Sequence, residues 1–400
     1  MKAIYNIWFH PLSKFPGPNS AAATKIPIAM VSWDGSLSQW LKDLHDYYRS
    51  DVVRISPDEL SFISASAWKD IYGNRPGHEH FQKNLLLFSG VDSIITAPDA
   101  DHSRMRRLLS HAFSDEALRE QEPLIQSYTN SLIFGLQKQI DGPAKGRINF
   151  ADWFNWTIFD TIGDLSFGES FNCLKDIHYH PWVTNVLDSI KQVVFSSVTL
   201  RFPPLQRLLN LYVLKSAVQA KENVHSLARE IVDERIETQT TRPDFLSYIS
   251  KHNEGKEHGG MTREEIHKNA ATMISAGSET TATLLTGAIW FLLKNPHCME
   301  NTLEEVRAFK KATDINLQSV ASLQYYQAVI DETFRMYPPA LIGQPRIVPK
   351  GGDTVSGHFV PGGVSLALQP QAYEKRILNT TFRLSSTASN STNTQPTTPA

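Results

Sequence analysis

The sequence predicts a mainly α fold with small β-sheets. Three observations carry that expectation. Apolar residues recur at helical spacing through most of the stretch from Asp101 to Lys294. Short runs of alternating apolar and polar residues, punctuated by Pro and Gly, lie on either side of it, as in "VVRISPDELSFIS" and "GGDTVSGHFVPGGVSLAL". A chain of 400 residues with 41% hydrophobic and 20% charged residues can also bury a large core, as one big domain or two smaller ones.

Composition narrows the function classes. Lys and Arg total 39 against 41 Asp and Glu, a net charge of −2, so the overall balance points to no nucleic-acid partner. The two cysteines, Cys173 and Cys298, have no Cys or His nearby at zinc-ligand spacing. That argues against a disulfide scaffold and a structural zinc site, and fits a reducing environment. The longest strongly apolar segment, Ala282 to Leu293, is shorter than the roughly 20 residues that cross a bilayer.

From the N-terminus, Ile4 to Phe9 is apolar and aromatic but too short for a signal peptide, and reads as the last turn of a preceding element. Phe9 to Pro18 follows as a stiff hinge, because Pro11, Pro16 and Pro18 fix φ and cannot continue a helix. "SLSQWLKDLHDYY" has helical spacing, and "VVRISPDELSFIS" reads as a β-hairpin turning at Pro57-Asp58. Further helices are expected over His102–Ala112, Asp115–Ile140, Phe150–Phe167, Val213–Glu237, Thr262–Lys294 and Leu323–Tyr337. The fifth of these would cross a whole domain if continuous. Gly-punctuated strands follow Pro349. From Asn379 to Ala400, 14 of 22 residues are Ser, Thr or Asn, a composition too polar to order itself.

The chemistry concentrates in two places. In "NAATMISAGSETTATLLTGAIWFLL" a small pair, Ala276-Gly277, sits in mid-helix before Ser278, Glu279, Thr280 and Thr281. Gly costs about 1 kcal/mol in a helix interior, and hydroxyls that turn back onto a carbonyl can widen a helix locally. One reading is a close helix crossing with Glu279 at a solvent edge; the other is a functional break. In "ETFRMYPPALIGQPR", Glu332 and Arg335 are spaced i, i+3 for an ion pair, Pro338-Pro339 ends the helix, and Arg346 follows.

These segments resemble the cytochrome P450 haem-thiolate monooxygenases. "AGSETT" is similar to the signature of that family's long oxygen-binding helix and "ETFR" to its Glu-x-x-Arg helix. "FHPLSKFPGP" resembles the proline hinge of microsomal members, and "DHSRMRRLLSHAFS" their haem-propionate helix. The phrases "ISPDELSFISASAWKDIYGNRPG" and "HPLSKFPGP" look most like filamentous-fungal enzymes of secondary metabolism, a group that includes trichothecene hydroxylases. The resemblance covers roughly Ile4 to Tyr373 and implies a cytochrome P450 fold, incomplete at the C-terminus. Its divisions would be a remnant of anchor and hinge over 1–18, a partial cytochrome P450 domain over 19–373 and a tail over 374–400.

The resemblance also assigns roles. Thr280 would donate a hydrogen bond to iron-bound oxygen, with Glu279 helping to deliver protons, while Ala276 and Gly277 leave space for that oxygen. His102 and Arg106, one turn apart, and Arg346 would hold the carboxylates of haem b. Glu332 and Arg335 would form a buried structural pair. Ala340, Leu341 and Ile342 would line the substrate pocket. The implied partners are an apolar metabolite, to be hydroxylated or epoxidised, and an NADPH-dependent cytochrome P450 reductase. The implied location is the endoplasmic reticulum membrane, or the cytoplasm if the anchor is missing, with Ile4 to Phe9 touching a membrane surface.

The sequence departs from the family at the iron. A haem-thiolate enzyme needs a cysteine after its Glu-x-x-Arg helix to push electron density toward oxygen, and both cysteines here precede Glu332. The expectation is therefore a family member that is inactive as written, its sequence switching at Tyr373-Glu374 as a frameshift, unspliced intron or truncated gene would make it. Two alternatives stand beside it, a remnant that binds a metabolite without chemistry and a helical interaction scaffold.

Overall fold

The computed structural model describes residues 1–84, 93–142, 146–203, 226, 228–237, 244–253 and 259–369. The chain forms two compact units, one of Met1–Asn84 with Ala340–Ala400 and one of Leu85–Pro339.

The first unit carries the sheets. Helical turns over Lys2–Ile4 and Tyr5–Phe9, and a short helix Asn19–Ala23, precede α1 (Ile26–Trp33), α2 (Leu37–Tyr48) and α3 (Ala65–Tyr72). The strands are β1 (Val52–Ser56), β2 (Glu59–Phe62), β3 (Gln82–Lys83), β4 (Arg346–Ile347), β5 (Asp353–Val355), β6 (His358–Val360) and β7 (Ser365–Leu368). Five of them form a sheet in the order β1-β2-β7-β4-β3. The β1–β2 hairpin is antiparallel and turns where Pro57-Asp58 breaks the run, whereas β2 runs parallel to β7, with Leu60 opposite Leu366 and Phe62 opposite Leu368.

The alternation in β1 and β2 predicts one wet face, yet every residue of both strands is buried. The reason is the segment before them. The Arg54 amide donates to the Pro16 carbonyl at 2.7 Å, and the buried Arg54 guanidinium donates to the carbonyls of Asn6 at 2.8 Å and Pro57 at 2.7 Å. At Gly17 a Cβ would lie 2.3 Å from the Arg54 carbonyl oxygen, so the proline hinge sits directly on β1. Between β5 and β6, Ser356 and Gly357 have φ of 48° and 77°, the left-handed pair that a tight hairpin turn requires.

The second unit is helical. It contains α4 (Asp99–Ser110), α5 (Asp115–Asp141), α6 (Phe150–Phe167), α7 (Pro181–Leu200), α8 (Phe245–Asn253), α9 (Arg263–Lys294), α10 (Pro296–Arg307) and α11 (Gln324–Met336). The expected helices fall within two to three residues of these bounds. Of the expected Val213–Glu237, residues 228–237 are helical and 213–225 lie outside the described residues, as does the tail from 370 onward. Helices α1, α3, α7, α8 and α10 are additional to the sequence reading. The core gathers on α6 and α9 around Phe159, Ala270 and Ile274, with Phe171 stacked on Trp182 at 4.9 Å between ring centroids. None of the described helices is long and apolar enough to cross a membrane.

Candidate functional site on the long helix

Helix α9 is fixed at its start by side chains. The Thr262 hydroxyl accepts from the Glu265 amide at 3.2 Å and Glu265 accepts from the Thr262 amide at 2.8 Å, a reciprocal cap on two orphan donors. Arg104 of α4 then binds Glu265 through both carboxylate oxygens, at 2.6 and 3.0 Å, and also meets Asp101 at 2.9 Å and the Gly260 carbonyl at 2.6 Å. Sequence reasoning chose His102 and Arg106 on this helix and missed Arg104. Its main partner lies 161 positions away, so no local spacing announces it.

The middle of α9 answers the question raised by its polar run. The helix is continuous through it, contrary to the local widening that hydroxyls can cause. Two of its hydroxyls are satisfied within the helix: Ser278 donates to the Ile274 carbonyl and Thr280 to the Ala276 carbonyl, both at 2.6 Å. Gly277 faces α6, where a Cβ would stand 3.2 Å from Cδ1 of Ile162, so the crossing reading accounts for this residue. Ala276 and Thr280 lie on the opposite, exposed side, while Ser278 is fully buried. A short-residue stretch thus gives α9 one face packed on α6 and one face open.

Glu279 is half-buried between those faces. No described residue hydrogen-bonds it, and burial raises its carboxyl pKa. Its charge is felt at Tyr179, whose hydroxyl is pushed up first by burial and then by Asp152, which accepts its hydrogen bond at 3.1 Å. Tyr179 and Asp152 were not singled out in the sequence, because nothing in their spacing links them to α9.

The other expected residues are placed as follows. On α4, His102 is partly buried; Arg106 is exposed, with no partner among the described residues. Arg346 lies in β4 of the first unit with its guanidinium 5.4 Å from the centre of the Tyr72 ring. Arg335 and Glu332 pair through two contacts, one of them 2.7 Å, but the Glu332 side chain is 56% exposed against 14% for Arg335. The pair forms as the spacing requires, and it is not the buried pair expected. Ala340, Leu341 and Ile342 are exposed. Helix α11, which carries the pair, starts under an acid from a neighbour: Glu305 of α10 accepts from the amides of Tyr325 at 3.1 Å and Tyr326 at 2.8 Å.

The two thiols test whether iron could be held here through sulfur. Cys173 is buried, its amide bonded to Asp160 at 2.9 Å and its sulfur 3.4 Å from the His180 amide, and burial pushes the thiol up to about 11. Cys298, on α10, is partly buried beside Tyr325, whose hydroxyl pKa it raises. Cys173 is a buried packing group on those contacts, and both thiols precede the Glu332–Arg335 helix, so the residues present do not fit a haem that is bound through a thiolate in the family's manner.

Comparison with known proteins gives the architecture its lineage. The sequence pattern of the cytochrome P450 family matches residues 52–376. Cytochrome P450 monooxygenase astJ of Aspergillus oryzae is 42% identical over 373 residues, covering 92% of this chain and 74% of the relative. Cytochrome P450 monooxygenase lcsI of Purpureocillium lilacinum is 38% identical over 377 residues, 92% of this chain and 72% of the relative. Trichothecene C-15 hydroxylase of Fusarium sporotrichioides is 40% identical over 364 residues, 90% of this chain and 70% of the relative. A helical unit built around α9, a small sheet unit and identities of this size over nine-tenths of the sequence lead to one conclusion: the chain belongs to the cytochrome P450 family.

Proposed function

We propose that the chain is a fungal cytochrome P450 of secondary metabolism whose reaction class is hydroxylation or epoxidation of an apolar metabolite. The observation that supports this reading most is the open Ala276–Thr280 face in the middle of α9, inside the matched region 52–376. The trichothecene hydroxylase among its relatives favours hydroxylation. Haem b, when bound, supplies the oxygen activation of this family. An NADPH-dependent reductase at the endoplasmic reticulum membrane is the matching electron donor.

This chain's own residues have separable tasks in that reading. Glu279 holds a proton more tightly than an ordinary carboxyl and stands next to Thr280, whose oxygen still accepts while its proton rests on Ala276. Arg106 offers a carboxylate a cation that has no partner among the described residues, with His102 on the same helix as a further donor. Ala340, Leu341 and Ile342 present apolar surface to a substrate.

For the polypeptide of these 400 residues we propose metabolite binding without oxygenation, because Cys173 is buried with its thiol pKa raised and neither cysteine follows the Glu332–Arg335 helix. A difference spectrum of the purified chain, reduced and exposed to carbon monoxide after expression with haem precursor, tests this. The expected result is no shifted Soret band. A shifted band overturns it, and its loss in Cys173→Ser or Cys298→Ser with an unchanged circular dichroism spectrum would identify the sulfur responsible.

A further inference from the structure

Helix α10 has two differently built sides. The inward side is engaged: Thr302 is buried and its hydroxyl donates to the Cys298 carbonyl at 2.7 Å, while Glu305 accepts from the two amides that open α11. The outward side carries Glu300, Leu303, Glu304, Arg307 and Ala308, spaced i, i+3, i+4, i+7, i+8 like a stripe that meets another helix. These five residues bound an open groove of about 420 Å³. Glu300, Glu304 and Arg307 are exposed, and none has an ion-pair or hydrogen-bond partner among the described residues, although Glu304 and Arg307 stand i, i+3 apart. Other arginines of this unit differ: Arg104, Arg263 and Arg335 each hold an acid at 2.6 to 2.7 Å.

We infer that this stripe is a docking surface for a second copy of the chain, the two α10 helices lying antiparallel across a two-fold axis, independent of the haem reading above. Charge selects that occupant. Exposed acids, Glu300 and Glu304, occupy the first half of the stripe, and exposed bases, Arg307, Lys310 and Lys311, occupy its end and the residues that follow. A parallel copy would set like charges opposite one another. An antiparallel copy sets the acidic half of each helix against the basic end of the other, and the two-fold axis makes every such contact twice. With the axis passing between Leu303 and Glu304, Glu300 lies level with Arg307 of the second copy, whose long side chain also has Glu304 within reach, one turn along. Leu303 then packs beside Leu303 of the second copy where the two grooves face each other, and Ala308 adds no bulk at the rim. The helix dipoles oppose each other, which adds attraction in the same sense. With one leucine from each copy at its centre the contact is small and polar, so the pairing is weak and depends on concentration.

Sedimentation velocity of the purified 400-residue chain, over about 1 to 100 µM, where contacts this small form, reads the proposal directly. The expected result is a monomer–dimer equilibrium that moves toward monomer as salt is raised. Glu300→Arg alone and Arg307→Glu alone should each weaken dimerisation about tenfold or more, with unchanged circular dichroism spectra, because each sets like charges across the axis. An equimolar mixture of the two variants should dimerise like the parent, since positions 300 and 307 are then opposite in charge on both sides of the axis. That recovery separates a designed contact from general stickiness, which no charge exchange would restore. A parent that stays monomeric throughout overturns the inference. So does a single variant that dimerises like the parent, which would put the contact on another face, or a mixture that stays monomeric.

Discussion

Glu279 is a carboxyl whose environment raises its pKa through burial alone, and the sign of the resulting pH dependence is fixed. The unfolded chain releases this proton at the ordinary carboxyl pKa, the folded chain only at higher pH, so the residue's cost appears as pH rises between the two. Glu279→Gln should therefore melt like its parent near pH 4 and above it at pH 7. A melting difference that does not change with pH rules the idea out. Gly287 makes a second residue-scale case. A Cβ there would meet Cδ1 of Tyr337 at 2.9 Å and Cγ2 of Thr333 at 3.5 Å, so the close pass of α9 and α11 depends on it. Gly287→Ala should destabilise by about 1–3 kcal/mol in chemical denaturation, despite the roughly 1 kcal/mol that Ala gains in helix propensity. Sequence reading found Gly277 and passed over Gly287. The first sits in a polar run that draws notice, whereas the second lies in an apolar one whose partner, Tyr337, is fifty positions away.

Helix α9 has its start set by a shared carboxylate. Glu265 serves both the Thr262 cap and Arg104, so the two contributions should not add. Thr262→Ala should cost about 1 kcal/mol and Arg104→Met about 2 kcal/mol. The double variant, followed by urea unfolding, should fall short of or exceed their sum by more than the roughly 0.5 kcal/mol of independent sites; simple additivity would sink the shared role. The elements themselves were legible where periodicity was strong, as in α5, α6, α9 and α11. They were illegible for physical reasons elsewhere. α1 has no amphipathic period because both of its sides are apolar. α7 is rich in Val and Thr, whose branched side chains lower helix propensity and mimic a strand pattern. The Arg335–Glu332 pair was legible from its spacing, but its exposure was not, because spacing within one helix says nothing of what covers it.

At the scale of the whole molecule, four short motifs in order identified the family. No motif could reveal that residues 1–84 fold with residues after 340, since that depends on strand pairing far apart in sequence. If the chain retains a metabolite site without oxygenation, an apolar metabolite at about one hundred times its Kd should add about 2.7 kcal/mol to stability. Thermal melts across a panel of such compounds read this, and a panel that leaves the melting temperature unmoved removes the binding reading. The parallel pairing of β2 with β7 has an effect on how the protein comes into being. Glu59 must wait for Ser365, about 300 residues later on the ribosome, before the sheet can close. The helical unit, continuous from Leu85 to Pro339, is synthesised entirely within that interval and is free to fold first. Nascent chains halted before β7 emerges would then leave β2 a bare template edge, the stage at which this protein is most exposed to aggregation and to capture by chaperones.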